Sequence, residues 1–354
     1  MNKKILAIVM AAILATMLVA CGGNGTTPAS QSSASAASPT STTDSGDVIE
    51  LDFGHIQNAG HALAIAPEEF KALVEEKTGG RVKINIFPSS QLGTQREMIE
   101  QCAMGTLDIT FSSAAELSTT LNFPTIGAFE LPFLCKDLET QARLINEIVM
   151  MEAPPMFESL GLHLLNCYSN GIRNPLSKTR PIRSLDDLKG LKMRCAETPM
   201  YVNLWTALGC TVVTSPWSEA YTVVQTGVAD AAEADAVGIV SVNLQEVGKY
   251  YSRMGHIAGI YPTFINQEKW NSIPADLQDI IMECAAESQA KQFADRQALD
   301  DLAEKKIADA GVEIIDVPAD ECAKMRAACQ SIYDNFAQEN NAQDLVDRLL
   351  ALGA

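Results

Sequence analysis

Two arginines, Arg173 and Arg194, are the residues whose positions most directly suggest chemistry in this sequence. Arg173 follows an apolar strand pattern that ends at Tyr168, and Arg194 lies in a second strand pattern, on the face opposite Met193 and Cys195. A guanidinium is planar and always charged, and it can bind a carboxylate through two parallel hydrogen bonds. Two arginines at strand ends therefore suggest a carboxylate-binding cleft, although the pattern alone leaves open a solvated sheet face.

The sequence carries no recognisable catalytic or metal-binding motif. It lacks a Gly-x-Ser-x-Gly elbow, a His-Glu-x-x-His pair and a phosphate-binding glycine loop. His55 and His61 are two of only 4 histidines, and their spacing in a loop gives poor support for a metal. The cysteines other than Cys21 form no Cys-x-x-Cys pair, so we interpret them as buried free thiols, with disulfides as the alternative. We predict a protein that is not an enzyme and uses no cofactor and no metal.

The N-terminal segment has the layout of an export signal. Lys3 and Lys4 precede an uncharged apolar run that stops at Ala20, short of the roughly 20 apolar residues that span a bilayer. The residues Leu-Val-Ala-Cys at 18–21 resemble a bacterial lipobox, whose cysteine receives a lipid. We expect 1–20 to be a lipoprotein signal peptide and 21–46 to be a lipidated Cys21 followed by a flexible Ser/Thr/Ala/Gly linker. An ordinary signal peptide is the alternative.

The composition restricts the possible partners. The formal net charge is -18 at pH 7, and removal of Lys3 and Lys4 makes it more negative by two charges. Such a charge argues against nucleic acid or an anionic membrane surface as the partner. We expect an extracytoplasmic protein, at the cell surface or in the periplasm, held to the cell membrane only by its lipid. The remaining residues, 47–354, are more than a single hydrophobic core usually contains, and this length favours two lobes.

The elements that position the arginines follow an α/β pattern. Alternating apolar residues predict strands at 49–53, 81–87 and 107–111, with a helix opening at Pro67 and another opening at Thr94, where Glu97 completes a capping box. This β-α-β-α-β order is typical of a parallel or mixed sheet with helices on its faces.

A second stretch repeats that order. Strands are predicted at 191–195 and 211–213, with a helix at 199–208 between them. A helix ending at Gly105 before Asp108 is echoed by a helix ending at Gly227 before Asp230. The echo favours two similar α/β lobes, and ligands of such sheets bind at the carboxyl ends of the strands. From Pro274 onward the pattern is mostly helical, with a long first helix, a short strand at 312–315 and further helices at 319–333 and 342–352.

Six segments, in order and spacing, resemble the DctP family, the extracytoplasmic receptors of TRAP transporters. They are Phe-Pro-Ser-Ser-Gln-Leu-Gly at 87–93, Glu-Leu-Pro-Phe at 130–133, Asn-Gly-Ile-Arg at 170–173, Lys-Thr-Arg-Pro-Ile at 178–182, Asp-Leu-Lys-Gly-Leu-Lys-Met-Arg at 187–194 and Trp-Ser-Glu-Ala-Tyr at 217–221. The resemblance implies a two-lobed, periplasmic-binding-protein-like α/β fold with mixed sheets, flanking helices, hinge strands and a long helix that bridges both lobes. It implies lobe I at 47–170 plus about 257–298, and lobe II at 171–256 plus about 299–354.

The resemblance also implies roles for individual residues. Arg194 matches the arginine that usually forms the bidentate pair with a ligand carboxylate, and Arg173 matches a second arginine that assists it. Trp217 falls where an aromatic side chain often contacts the ligand, with plain lobe packing as the alternative. Further implied contacts are Ser113, Asn58 and His256.

One departure from the family pattern affects recognition. Where many relatives have Gln-Glu-Asn-Pro, this chain has Ala-Glu-Ala-Asp at 232–235, so Glu233 is kept and an asparagine amide is lost at Ala234. Asp235 offers an acceptor for hydroxyl groups, which favours a hydroxylated acid over a bare dicarboxylate.

Taken with the resemblance, the sequence suggests a high-affinity extracytoplasmic receptor that closes on an organic acid, of the sugar-acid or C4-dicarboxylate type. It implies delivery to the membrane subunits of a TRAP transporter, and we expect a monomer. An ABC-type solute-binding lipoprotein and a surface hydrolase are the alternatives.

Overall fold

The computed structural model describes residues 48–352, in which ten strands alternate with fourteen α-helices. The predicted signal peptide, Cys21 and the linker lie outside the described residues. The strands are β1 (Ile49–Gly54), β2 (Val82–Phe87), β3 (Ile109–Phe111), β4 (Leu162–Ser177), β5 (Lys192–Cys195), β6 (Thr211–Thr214), β7 (Ala231–Ala234), β8 (Tyr250–Arg253), β9 (Ile257–Asn266) and β10 (Glu313–Asp316).

The helices are α1 (Ala62–Lys77), α2 (Gln95–Ala103), α3 (Ala114–Thr120), α4 (Leu138–Arg143), α5 (Met150–Ser159), α6 (Leu185–Leu188), α7 (Pro199–Ala207), α8 (Ala220–Gln225), α9 (Ala236–Ser241), α10 (Gln267–Ser272), α11 (Ala275–Asp309), α12 (Ala319–Ala328), α13 (Gln330–Glu339) and α14 (Gln343–Leu352). Short 3-10 helices cover Pro124–Glu130, Trp217–Glu219 and Leu244–Glu246, and a π-helix covers Leu144–Val149.

The strands form two half-sheets that share β4. In the first half-sheet the order is β2-β1-β3-β9, followed by residues 162–173 of β4. In the second the order is β6-β5-β7, followed by residues 174–177 of β4 and then β8 and β10. The pairs of β1 with β2 and of β5 with β6 are parallel, whereas β4 and β9 are antiparallel. The prediction of a two-lobed α/β fold with mixed sheets is therefore confirmed.

The repeated Gly and Asp positions have matching structural roles. Gly105 and Gly227 adopt φ values of 76° and 77°, which glycine tolerates without steric cost. Asp108 accepts a hydrogen bond from the backbone of Asp52 in β1 (2.8 Å), and Asp230 accepts one from the backbone of Lys192 in β5 (3.1 Å). Each aspartate thus joins the start of the strand that follows it, β3 or β7, to the neighbouring strand, β1 or β5.

Helix starts follow local side-chain capping. Thr94 and Glu97 form the predicted capping box at the start of α2. The prediction that a helix opens at Pro67 is wrong, because the imidazole of His61 accepts the backbone N–H of Leu63 and starts α1 at Ala62. The predicted helix at 319–333 is divided in two at Cys329.

The long helix α11 packs behind β4. Two of its glutamines bond backbone groups of that strand: Gln289 accepts from Cys167 N (2.8 Å), and Gln292 accepts from Ser169 N (3.1 Å) and donates to Ser169 O (2.8 Å). The pairing of β4 with β9 shifts register between Ser169 and Ile172, so these amides satisfy backbone groups next to an irregular part of the sheet. The helix contacts α1 at one end and α9 farther along, and so bridges both halves.

The C-terminal helices contact residues of both halves. Tyr333 in α13 donates to Pro132 O (2.7 Å), and Arg348 in α14 pairs with Glu152 in α5 (2.7 Å). Near the start of α12, Glu321 accepts from the backbone of Leu185 in α6 (3.0 Å). The lobe boundaries given above stay a prediction. No helix within residues 48–352 has the length and apolar content needed to cross a bilayer.

Candidate functional site

A cavity of about 420 Å³ lies between the loops that follow the strands of the two half-sheets. Its first wall comes from loops after β1, β2 and β3, its second from loops after β5, β6 and β7, and its floor includes residues of β4 and β9. This is the carboxyl edge of the parallel strands, where α/β proteins commonly bind ligands. The volume is within the range of small-molecule sites.

Arg194, in β5, is a buried cation at this cavity. It is 1% exposed, its Nε donates to Ser215 Oγ (3.1 Å), and its Nη2 donates to the Ser215 carbonyl. Its Cζ lies 5.5 Å from the ring centroid of Trp217. Burial lowers the pKa of Arg194, because a low-polarity environment disfavours the charge. Within residues 48–352 no carboxylate forms an ion pair with Arg194, although Glu233 and Glu197 are near enough to oppose the effect of burial on its pKa.

Arg173, in β4, is a buried cation that already has a partner. Its Nε and Nη2 donate to the two carboxylate oxygens of Glu233 at 2.7 and 2.8 Å, and His256 Nε2 lies 3.1 Å from Glu233 Oε2. Burial alone would raise the pKa of Glu233, but Arg173 and His256 lower it to about 2. The Arg173 guanidinium also lies over the ring of Tyr201, with its Cζ 5.6 Å from the ring centroid. Arg173 therefore faces the cavity as half of a neutral pair.

Asp235 lies at the start of α9, where its Oδ2 accepts from Gly238 N (3.1 Å) and from Arg296 Nη2 (2.7 Å). Its Oδ1 is 3.6 Å from Nε2 of His61, which belongs to the opposite wall. His61 Nδ1 accepts from Leu63 N, so in the neutral ring Nε2 carries the proton. Burial alone would raise the pKa of Asp235, but Arg296 and His61 hold it well below its usual range. Donor and acceptor thus face each other across the cavity at a gap longer than a hydrogen bond.

A second group of charges lies at the cavity entrance. Glu116, in the first turn of α3, donates its backbone N–H to the hydroxyl of Ser113, and its carboxylate pairs with Arg96 (3.2 Å). The side chains of Glu116 and Arg96 are 10% and 39% exposed. Burial, opposed by Arg96 and reinforced by Glu197, raises the pKa of Glu116. Glu97 and Glu197, both exposed, line the same part of the cavity.

Glu130, which is fully buried, joins the two walls behind the cavity. Its carboxylate accepts from Ala115 N and Ile260 N, both at 2.9 Å, and from the hydroxyl of Tyr201 at 3.3 Å. Ala115 and Ile260 belong to the first half and Tyr201 to the second. Burial, opposed by these donors and by Arg173, raises the pKa of Glu130 to about 7.

Glu130 should make stability depend on pH near neutrality. Since its folded-state pKa of about 7 exceeds the ordinary value of 4.5, its stabilising contribution is full below about pH 4.5 and is lost as pH rises through about 7. We expect the melting temperature of the wild type minus that of Glu130→Gln to fall by several degrees between about pH 5 and pH 8. The exposed Glu100→Gln variant is the control, and a difference that stays constant or rises would contradict the assignment.

Five residues predicted from the sequence line the cavity: Arg194, Arg173, Trp217, Asp235 and Ser113. The Ser113 hydroxyl caps α3. Three other predicted residues, Glu233, His256 and Asn58, do not form its wall. Glu233 and His256 are behind Arg173, while the Asn58 amide donates to Ser241 O (3.3 Å) on the opposite half.

Several lining residues were not selected from the sequence, among them Gln57, Glu116, Tyr201 and Ser215. Ser215 stands two residues before Trp217, and this proximity to a predicted contact was an available signal. His61 was considered only as a metal ligand, whereas it caps a helix and faces Asp235.

Comparison with known proteins shows that the chain is similar to solute-binding proteins. The family model DctP, bacterial extracellular solute-binding protein, family 7, matches residues 53–340. The 2,3-diketo-L-gulonate-binding periplasmic protein YiaO of Escherichia coli is 28% identical over 298 residues, covering 82% of this chain and 87% of that protein. Protein y4mM of Sinorhizobium fredii is 30% identical over 280 residues, covering 78% of this chain but only 51% of that longer protein.

A solved structure shows the same architecture. The TRAP periplasmic solute-binding protein from Pseudomonas putida F1, with bound D-glucuronate, has a TM-score of 0.80 and 26% identity. The match covers 86% of this chain and 98% of that chain.

Proposed function

Since the chain belongs to the DctP family of bacterial extracellular solute-binding proteins, we propose that it is a receptor that binds a sugar acid between its two halves and delivers it to a TRAP transporter. The family consists of solute-binding proteins, so the expectation of a receptor instead of an enzyme is confirmed and the hydrolase alternative is removed. The TRAP neighbour favours this class of transporter over an ABC-type system.

The observation that carries the proposal is that the buried guanidinium of Arg194 forms no ion pair within residues 48–352. A buried cation is costly unless an anion pairs with it, and the fork of donors on a guanidinium matches a carboxylate. Arg194 lies against the cavity, and Ser215 holds its guanidinium in place through two contacts. We assign Arg194 as the principal ligand to a carboxylate, with Arg173 assisting and Trp217 packing on the bound molecule.

The pair of His61 and Asp235 supports a hydroxylated ligand. The proton on His61 Nε2 faces Asp235 Oδ1 across 3.6 Å, while Asp235 Oδ2 is occupied by Arg296 and Gly238. A ligand hydroxyl near this pair would accept from the imidazole and donate to the carboxylate. A sugar acid provides such hydroxyls, and both YiaO and the Pseudomonas putida protein have names that specify a sugar acid.

Binding is coupled to closure of the two halves. When the halves approach, water leaves the cavity and the attraction between Arg194 and a carboxylate strengthens, because the local dielectric falls. The ligand shifts the open and closed populations only through contacts that are better in the closed state. Tyr201 with Glu130, and His61 with Asp235, are contacts between the halves that favour that state.

Attachment to the membrane is a further part of the proposal. We propose that the signal peptide is cleaved before Cys21, that Cys21 is lipidated and that the receptor acts as a monomer outside the cytoplasm. The Leu-Val-Ala-Cys segment and the Ser/Thr-rich tract after it support this arrangement. Cys21→Ser should release the protein from the membrane fraction, and continued membrane association of that variant would oppose lipid anchoring.

A thermal-shift panel tests the proposed ligand class. The purified chain without the first 46 residues should be stabilised by at least one uronate, aldonate or keto-gulonate, since bound ligand raises the melting temperature by mass action. C4-dicarboxylates, aromatic acids and neutral sugars serve as comparison compounds. A larger shift with succinate or malate than with every sugar acid would overturn the proposal.

A further inference from the structure

Two of the three buried arginines in residues 48–352 are paired with carboxylates. Arg173 is neutralised by Glu233, and Arg296 is held between Asp235 and Asp300, each at 2.7 Å. Only Arg194, among the buried arginines of residues 48–352, lacks a carboxylate partner. Arg194 is therefore the one buried guanidinium of the described residues whose hydrogen-bonding fork is left without a carboxylate, and a single ligand carboxylate would complement it.

Within residues 48–352, the other cations that line the cavity are already paired with carboxylates. Arg96 is the third lining arginine, and its Nη2 is already paired with Glu116 Oε1 at 3.2 Å. Glu97 and Glu197 add two further carboxylates to this part of the lining. A second carboxylate on the ligand would meet Glu116 on the first wall or Asp235 on the second, in a cavity where like charges are poorly screened.

We infer that this cavity selects acids with one carboxylate over diacids with the same carbon chain, and that Glu116 is the residue that disfavours a second carboxylate. The inference rests on the proposed function, because it narrows the class of organic acid that the receptor takes. Glu116 suits this role since its side chain is nearly buried and its position is set by the first turn of α3. Its only cationic partner in the described part of the chain is the half-exposed Arg96.

Paired ligands that differ only in one carboxylate test the inference. Calorimetric affinities are measured for D-gluconate and D-glucarate, and for D-galactonate and galactarate, with D-glucuronate and D-galacturonate as additional monoacids. We expect the better monoacid of a carbon skeleton to bind at least about 10-fold more tightly than its diacid, which reflects an unfavourable like-charge contact.

Glu116→Gln keeps the shape of the side chain and removes its charge. This variant should narrow the monoacid-to-diacid affinity ratio by about 10-fold, chiefly through tighter diacid binding. The matched control is Glu100→Gln on α2, an exposed carboxylate that does not line the cavity, and it should leave the ratio unchanged.

The possible results distinguish a failure of this inference from a failure of the proposed function. Diacid binding that equals or exceeds monoacid binding in the wild type, or an unchanged ratio in a folded Glu116→Gln protein, overturns the inference and leaves an organic-acid receptor in place. Absence of binding by every acid tested removes the proposed function, and the inference with it.

Discussion

Arg194→Ala is expected to abolish the thermal stabilisation that a sugar acid gives to the protein, while the melting temperature without ligand stays nearly unchanged. Truncating one partner of a buried, hydrogen-bonded charge pair costs about 2–5 kcal/mol, so the affinity should fall at least about 30-fold. In the unliganded protein, the substitution removes the contacts of Arg194 with Ser215 and Trp217, which lowers stability. It also removes a buried charge that has no carboxylate ion-pair partner, which raises stability. These two effects on unliganded stability oppose each other.

Melting curves with and without the best acid of the panel provide the measurement. Arg194→Lys is the matched variant, because it keeps the charge and loses the planar fork, and it should bind with intermediate affinity. An unaltered ligand-induced shift in Arg194→Ala would contradict the assignment of this residue as the principal carboxylate ligand.

Arg173→Met is expected to have the opposite signature, with a large loss of stability before any ligand is added. Methionine fills much of the same space, but it leaves the Glu233 carboxylate buried without the two hydrogen bonds at 2.7 and 2.8 Å. Breaking a buried ion pair by removing one partner costs about 3–5 kcal/mol. Urea unfolding at neutral pH should show a decrease of this order in the free energy of unfolding.

The pH dependence gives an independent check on this pair. Because Glu233 has a folded-state pKa of about 2, below its ordinary value of 4.5, its stabilising contribution is present above about pH 4.5 and is lost as pH falls towards 2. Arg173→Met should remove most of this loss. The double variant Arg173→Met/Glu233→Gln should recover much of the stability at neutral pH, and wild-type stability in Arg173→Met would show that the pair contributes little.

The sequence could not predict that one arginine has a carboxylate partner and the other has none. Both have the same residue type and both were expected to bind the ligand, yet Arg173 is paired with Glu233 and Arg194 is not. The partner of Arg173 lies in β7, 60 positions along the chain, and local sequence patterns do not predict such a long-range contact. The sequence could identify the candidates, but only the packing of β4 against β7 distinguishes their charges.

Elements with strong local signals were predicted well. The alternating strands, the capping box of Thr94 with Glu97 and the long helix α11 show in residue patterns that repeat over a few positions, and the structure confirms them. The start of α1 was missed because histidine is an uncommon capping residue, and Pro67 gave a competing start signal. His61 and Glu116 were missed as site residues for a related reason, since each belongs to a helix start and becomes part of the cavity only through tertiary packing.

The position of β9 has a consequence for how the chain folds. In the first half-sheet β9 lies between β3 and β4, although in the sequence it follows the whole α/β stretch that forms the core of the second half. The first half-sheet therefore stays open along one edge until the chain is available as far as Asn266. Pairing over such sequence distances is intrinsically slow, because loop-closure entropy is lost before native contacts form. We therefore expect the pairing of β9 to limit the rate at which the complete chain refolds. A fragment that ends before β9 should expose an unpaired strand edge and should self-associate.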